Sequence, residues 1–240
     1  MKKFVRSKGF AAVCLILGCI SVTLIILNVA MWKKYLLPYY PAVTANNISG
    51  LNYFAYFTIL TNLLCAVWLL LYGVGKLFCR KLAERVTIPA VQGALTVYIC
   101  VVGFIYWGVL VWFTDRYPSE LWLFNFIDIY EHFIIPCVFV VMWLCGLNNS
   151  KMAKKCLPYF LIYPFSYYTF SIIRGAFIDW YAYPFFNAVQ VWKIVGADKP
   201  YNAAAAYTLV VAAFAALFGI IVGLSFLARY WHNKRVEREE

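Results

Sequence analysis

Apolar residues dominate this chain in six long runs, broken by short polar or basic segments. The runs cover about 9–32, 53–75, 88–113, 121–147, 156–173 and 203–230. Each is close to the ~20 residues that a helix needs to cross the hydrocarbon core of a bilayer. Only helices and closed barrels satisfy their backbone groups inside lipid, and runs of this length are helical. The pattern therefore predicts an all-α bundle of six transmembrane helices, forming a single integral membrane domain over 1–240. The first run is too long for the apolar part of a signal peptide, and it ends in Trp32-Lys33-Lys34 rather than a small-residue cleavage site. It is expected to be a retained first span.

Composition agrees. The chain is 65% hydrophobic and 13% charged, with a mean hydropathy of +0.76, which excludes an ordinary soluble domain. A net charge of +11 would suit nucleic acid only if the basic residues formed a patch. Instead they cluster in the segments between apolar runs. Of 21 Lys and Arg, 15 fall on the side carrying both termini and 6 on the other. The excess of positive charge predicts cytoplasmic termini in a multi-pass protein of the cell membrane. Trp32, Tyr35, Tyr39, Tyr40, Tyr53, Trp112, Tyr117, Trp122, Tyr181, Tyr183 and Trp192 collect at the opposite ends of the runs, as an interfacial belt would.

The eight cysteines show no CxxC spacing and mostly lie within apolar runs. There they act as small hydrophobes, so neither a metal nor a disulfide framework is expected, and no cofactor motif is present. Asn47-Ile48-Ser49 is a glycosylation sequon in the first outward loop, while a second at Asn148 falls on the cytoplasmic side. Ala212, Ala216, Gly219 and Gly223 form a small-residue stripe in the last run, expected to pack within the bundle. The mixed-charge tail from Trp231 is expected to fray.

Chemistry enters with the polar residues inside the runs. Thr58, Thr61 and Asn62 stand at i, i+3 and i+4 in the second, on one helical face, with Asn52 at its start. Lipid cannot pair such a face, so it either ties two helices together or lines a site. In the fourth run Asn125, Asp128 and His132 share a face. Asp128 precedes His132 by one turn, where its carboxylate can orient the imidazole. Pro136 has no N–H and leaves the His132 carbonyl without its helical partner. Asn125 and Glu131 are read as headgroup residues. For His132 an interfacial role and an acid–base role both stand. His232, in the basic tail, is read as unremarkable. At about 1.5 Å rise per residue, Thr58 and His132 both fall in the outer half of the membrane.

Tyr56-Phe57-Thr58, Glu131-His132-Phe-Ile-Ile-Pro136, Ser171-Ile-Ile-Arg174-Gly175 and Tyr181-Ala-Tyr183-Pro-Phe185 resemble motifs of one family. It is the androgen-induced-gene and androgen-dependent TFPI-regulating protein type of six-span membrane proteins, and the chain looks like a bacterial member. The resemblance covers spans two to six. It implies hydrolysis of fatty acid esters of hydroxy fatty acids, with Thr58 as nucleophile and His132 as base, Asp128 being the candidate orienter. Arg174, Asn62 and Tyr183 become candidate substrate contacts, Arg174 for a free carboxylate unless Asp179 is its partner. Two other classes stand beside this one. A small-solute transporter also wants polar groups at mid-membrane, although no inverted repeat is visible. A non-catalytic lipid-binding protein is the other.

Overall fold

In lipid the backbone must satisfy its own N–H and C=O groups, and the apolar runs do so as helices. The computed structural model describes residues 2–31, 50–112, 119–178, 180–195 and 200–239, and these contain helices and turns but no strand. Five helices are long and apolar enough to cross a membrane: α1 (Lys8–Met31), α2 (Phe57–Phe78), α3 (Pro89–Trp112), α4 (Ser119–Cys145) and α6 (Ala203–Glu237). The sequon at Asn47, Asp179, and the belt residues Trp32, Tyr35, Tyr39, Tyr40 and Tyr117 lie outside the described residues.

The fifth predicted run behaves differently. Lys154–Leu161 is a 3₁₀ segment containing Pro158, and α5 (Ile162–Ile178) is a 17-residue α-helix. Proline inside a helix removes a donor and clashes with the preceding turn. Pro158 thereby leaves this run shorter as regular helix than its neighbours, while Pro164 falls in the first turn of α5, where its missing N–H is tolerated. The second run also starts later than its hydropathy suggests. Gly50–Ala55 is a 3₁₀ turn, and α2 begins at Phe57 after an extended Tyr56 (φ −84°, ψ 133°).

The tail does not fray. α6 stays helical to Glu237, held by its own polar residues. The Arg235 guanidinium donates to the carbonyls of Trp143 (2.7 Å) and Asn148 (2.9 Å). His232, 3% exposed, meets the Ser150 carbonyl at 2.9 Å, and Asn233 accepts from the Met152 N–H. Gly146 enables this contact. Its φ of +71° is open to glycine at little cost, and a Cβ there would sit 2.1 Å from the Arg235 guanidinium carbon. The N-terminus joins the same end: Arg6 donates to the Gly146 carbonyl (2.9 Å) and lies 3.7 Å from the Glu239 carboxylate.

Two large buried clusters, and a small one of Ile25, Tyr53 and Ile59, form the interior of the described residues. The largest is shared by α1 to α4, with Leu69, Ile99, Phe139 and Met142 fully enclosed and Trp68 stacked on Tyr72. The second is aromatic and joins α5, the Tyr183–Phe186 turn and α6 through Tyr167, Tyr183, Phe186 and Phe214. The small-residue stripe of α6 takes no part in this packing. A Cβ added to Gly219 or Gly223 would meet nothing within 4 Å, and Ala212 and Ala216 are exposed. The in-bundle role expected of the stripe is thus corrected: α6 packs through Ala206, Val210, Phe214 and Ile221 on another face. Of the described belt residues, Trp112 and Trp122 lie on the surface as expected, whereas Tyr53 and Tyr183 are buried.

Candidate functional site

Thr58 is the second residue of α2, so its N–H lies in the first turn and has no carbonyl one turn earlier within the helix. The Tyr183 hydroxyl supplies the partner. Its oxygen is 3.4 Å from the Thr58 nitrogen and 3.3 Å from Thr58 Oγ1. Tyr183 arrives from the turn after α5. Its ring stacks on Phe185 (5.0 Å, 12°) and meets Tyr56 edge-on (5.6 Å, 90°). Burial pushes the Tyr183 phenol above its ordinary range, against the opposing hydrogen bond from Thr58, so the hydroxyl keeps its proton at neutral pH.

Thr58 and Tyr183 are also in the wall of a cavity of about 40 Å³. At roughly 10–15 Å³ per water, that is room for about three waters or a short stretch of acyl chain. The remaining wall is mostly apolar, with Tyr167 and Tyr168 as its other phenols. Val101 and Val102 face Phe186, Phe214 and Phe218, so the cavity lies on the seam between the two large buried clusters.

Thr61 is fully buried one turn deeper, and its Oγ1 pairs with the Tyr163 hydroxyl at 3.0 Å. Asn62 uses its amide hydrogens on the carbonyls of Thr58 (3.0 Å) and Glu131 (3.3 Å). It ties α2 to α4 and is not part of the cavity wall. The two roles left open for this polar face are therefore divided among its residues: Thr58 lines the cavity, while Thr61 and Asn62 join helices.

His132 lies in a π-helical turn, Tyr130–Ile134, within α4. Pro136 follows four residues later and cannot donate to the His132 carbonyl. That carbonyl accepts instead from the Trp107 indole at 3.1 Å. Such turns arise where the helical ladder is interrupted and are frequent at functional sites. Gly103 lets α3 approach here, since a Cβ would already be 3.2 Å from the same carbonyl oxygen. His132 Nδ1 is 3.1 Å from Asp128 Oδ1 and 2.8 Å from the Asp128 carbonyl. Two acceptors on Nδ1 favour the proton there, so that in the neutral imidazole Nε2 keeps its lone pair. Tyr106 stacks on the imidazole at 3.8 Å, and its hydroxyl donates to Asp128 Oδ2. Sequence reasoning missed Tyr106, which has no polar neighbours in its own run to mark it.

The two halves do not touch. No direct hydrogen bond joins Thr58 to His132 among the described residues; the link runs through Asn62 to the Glu131 backbone. Glu131 is not the headgroup residue expected of it. It is 4% exposed and accepts from the Tyr53 hydroxyl at 3.4 Å, and the Asn28 amide donates to that hydroxyl at 2.6 Å. The sequence signal was Asn28, a lone amide near the outward end of the first apolar run. Arg174 is half-buried near the end of α5. It donates to Asn52 Oδ1 and lies over the Trp180 ring at 5.0 Å, away from the cavity wall.

No protein-family model matches the chain, and neither a curated protein nor a solved structure does.

Proposed function

We propose that this chain is an intramembrane lipid ester hydrolase. Its substrates are fatty acid esters of hydroxy fatty acids or acyl lipids of similar build, cleaved by acyl transfer through Thr58. The observation that carries this reading is a hydroxyl in the wall of an apolar cavity, on a first-turn residue of a membrane helix, touching a second hydroxyl. An acyl chain suits the aromatic wall, and the ester suits its polar corner. His132 takes the threonine proton through Nε2 and returns it to the leaving alcohol, held in that tautomer by Asp128. Resting hydrogen bonds of catalytic groups are often long and tighten with substrate; closing the gap between Thr58 and His132 is assigned to substrate binding. Arg174 takes the free carboxylate of an acyl chain as a charge-assisted pair. The motifs resembling the androgen-induced-gene type support the same assignment.

One observation favours a second reading. The missing contact between Thr58 and His132 is what a non-catalytic lipid-binding protein would have. Purified protein in detergent, offered hydroxy-fatty-acid esters, is expected to release free fatty acid. Saturable ester binding without release would support the lipid-binding protein, and solute flux in liposomes without release would support a transporter.

Six crossings with both ends in the cytoplasm go with this proposal. Arg6 and Glu239 lie 3.7 Å apart, so the chain begins and ends at one end of the bundle. This supports an even number of crossings, and the segment from Lys154 through α5 is assigned as the sixth. The excess of Lys and Arg at that end points it to the cytoplasm. A reporter fused after Glu240 is expected to be active in the cytoplasm; activity only outside would overturn the orientation.

A further inference from the structure

Acyl transfer needs donors for the negative charge that develops on the ester's carbonyl oxygen, and these are usually the largest single electrostatic contribution to the rate. Resting on the reading of Thr58 as nucleophile, we propose that the Tyr183 hydroxyl and the Thr58 backbone N–H together hold that oxygen. Tyr183 is then a catalytic residue of the same site.

The geometry is specific. The Tyr183 oxygen is 3.4 Å from the Thr58 nitrogen and 3.3 Å from Oγ1. A carbonyl carbon bonded to Oγ1 places its oxygen between these same two donors. The Thr58 N–H has no acceptor within α2, and in the resting site it points at the phenolic oxygen. An ester oxygen replaces that contact, and the phenolic O–H turns onto it. A nucleophile's own N–H is a recurrent oxyanion donor in acyl-transfer sites.

Tyr167 and Tyr168 also line this cavity, but the hydroxyl bonded to Thr58 is that of Tyr183. The Tyr167 hydroxyl donates to the Ala55 carbonyl at 2.8 Å. Tyr183 is also held still. It is 8% exposed and clamped by Phe185, Tyr56 and Phe186. A donor fixed in a largely apolar wall stabilises charge more than one in water, because little must reorganise as the charge appears.

The bonds balance. Oγ1 attacks the carbonyl carbon, and its proton passes to His132. The carbonyl π pair moves onto the oxygen held by Tyr183 and Thr58. That pair returns as the bond to the alcohol oxygen breaks, and the His132 proton goes to the departing alkoxide. Water repeats the sequence on the acyl-threonine, breaking the bond to Oγ1 and releasing the fatty acid.

Tyr183→Phe keeps the ring and removes the donor. Its kcat on a hydroxy-fatty-acid ester is expected to fall by about 10²–10³, with KM changed less than about threefold. Binding of an uncleavable ether analogue is expected to be unchanged, with a modest loss of thermal stability as the Thr58 N–H loses its partner. An active parent with Tyr183→Phe equally active overturns the role of Tyr183 and leaves Thr58 standing. Loss of ether binding in step with kcat assigns Tyr183 to packing and overturns it too. A parent that neither turns over nor labels at Thr58 overturns both readings. Should Tyr183→Phe fail to fold, difluorotyrosine at position 183 tests the same group. Its more acidic phenol should bring the alkaline loss of kcat to lower pH, and an unmoved alkaline limb overturns the proposal.

Discussion

Thr58→Ala is expected to abolish ester turnover and covalent labelling by a hydroxyl-directed phosphonate, while Thr61→Ala keeps the label and loses stability. The two threonines are one turn apart on the same face of α2, and the sequence gives both a claim to the chemistry. Their surroundings separate them. Thr58 Oγ1 opens on the apolar cavity, where an ester can reach it. Thr61 Oγ1 is fully buried on the Tyr163 hydroxyl, and Tyr163 in turn stacks on Phe57 (5.1 Å, 27°). Removing a nucleophile from a cooperating set typically costs a factor on the order of 10⁴ or more in kcat. Removing Thr61 leaves a half-buried phenol unpaired, which costs on the order of 1 kcal/mol. Labelling followed by mass spectrometry, with thermal unfolding in detergent, reads both effects. If Thr58→Ala labels as well as the parent, the nucleophile lies elsewhere.

That division could not be read from spacing. Periodicity placed Thr58, Thr61 and Asn62 on one face, but a face says nothing of what stands opposite each residue. Tyr183 reaches Thr58 and Tyr163 reaches Thr61 across more than a hundred residues of chain. Hydropathy did locate five membrane-length helices, because that signal is local and repeated. At the fifth run the regular helix covers only part of the apolar stretch, because Pro158 sits in a 3₁₀ segment and α-helix begins at Ile162. Hydropathy also released the tail to solvent. Arg235 and His232 look like solvated charge in a sequence, yet each finds backbone carbonyls left free at the turn after α4. Glu131 was misplaced for a similar reason: its partners Tyr53 and Asn28 come from other segments. By contrast, Asp128 and His132 were legible, since a contact over one helical turn is written in the spacing itself.

Asp128→Asn and His132→Ala form a graded pair with the second largest expected effect. Asp128 Oδ1 and the Asp128 carbonyl both accept from His132 Nδ1, which keeps the lone pair on Nε2. An asparagine amide can donate to Nδ1 instead and reverse the tautomer, leaving Nε2 protonated and unable to accept. In a serine-type triad the same change costs about 10⁴ in kcat. The backbone carbonyl at 2.8 Å survives the substitution here and still favours the productive tautomer. The loss for Asp128→Asn is therefore expected nearer 10², within the usual 10²–10⁴ worth of general acid–base catalysis. His132→Ala removes the base itself and is expected to lose about 10⁴ together with phosphonate labelling, because an unassisted threonine hydroxyl is a weak nucleophile. Tyr106→Phe, which frees Asp128 Oδ2 while keeping the stacked ring, should fall between the parent and Asp128→Asn. Equal activity in Asp128→Asn and the parent would mean that the backbone carbonyl alone sets the tautomer. Retained turnover and labelling in His132→Ala, with loss in Glu131→Gln, would move the acid–base role one residue back along the π-helical turn. The buried carboxyl of Glu131, on the α4 residue whose carbonyl Asn62 links to that of Thr58, is the group that would then inherit it.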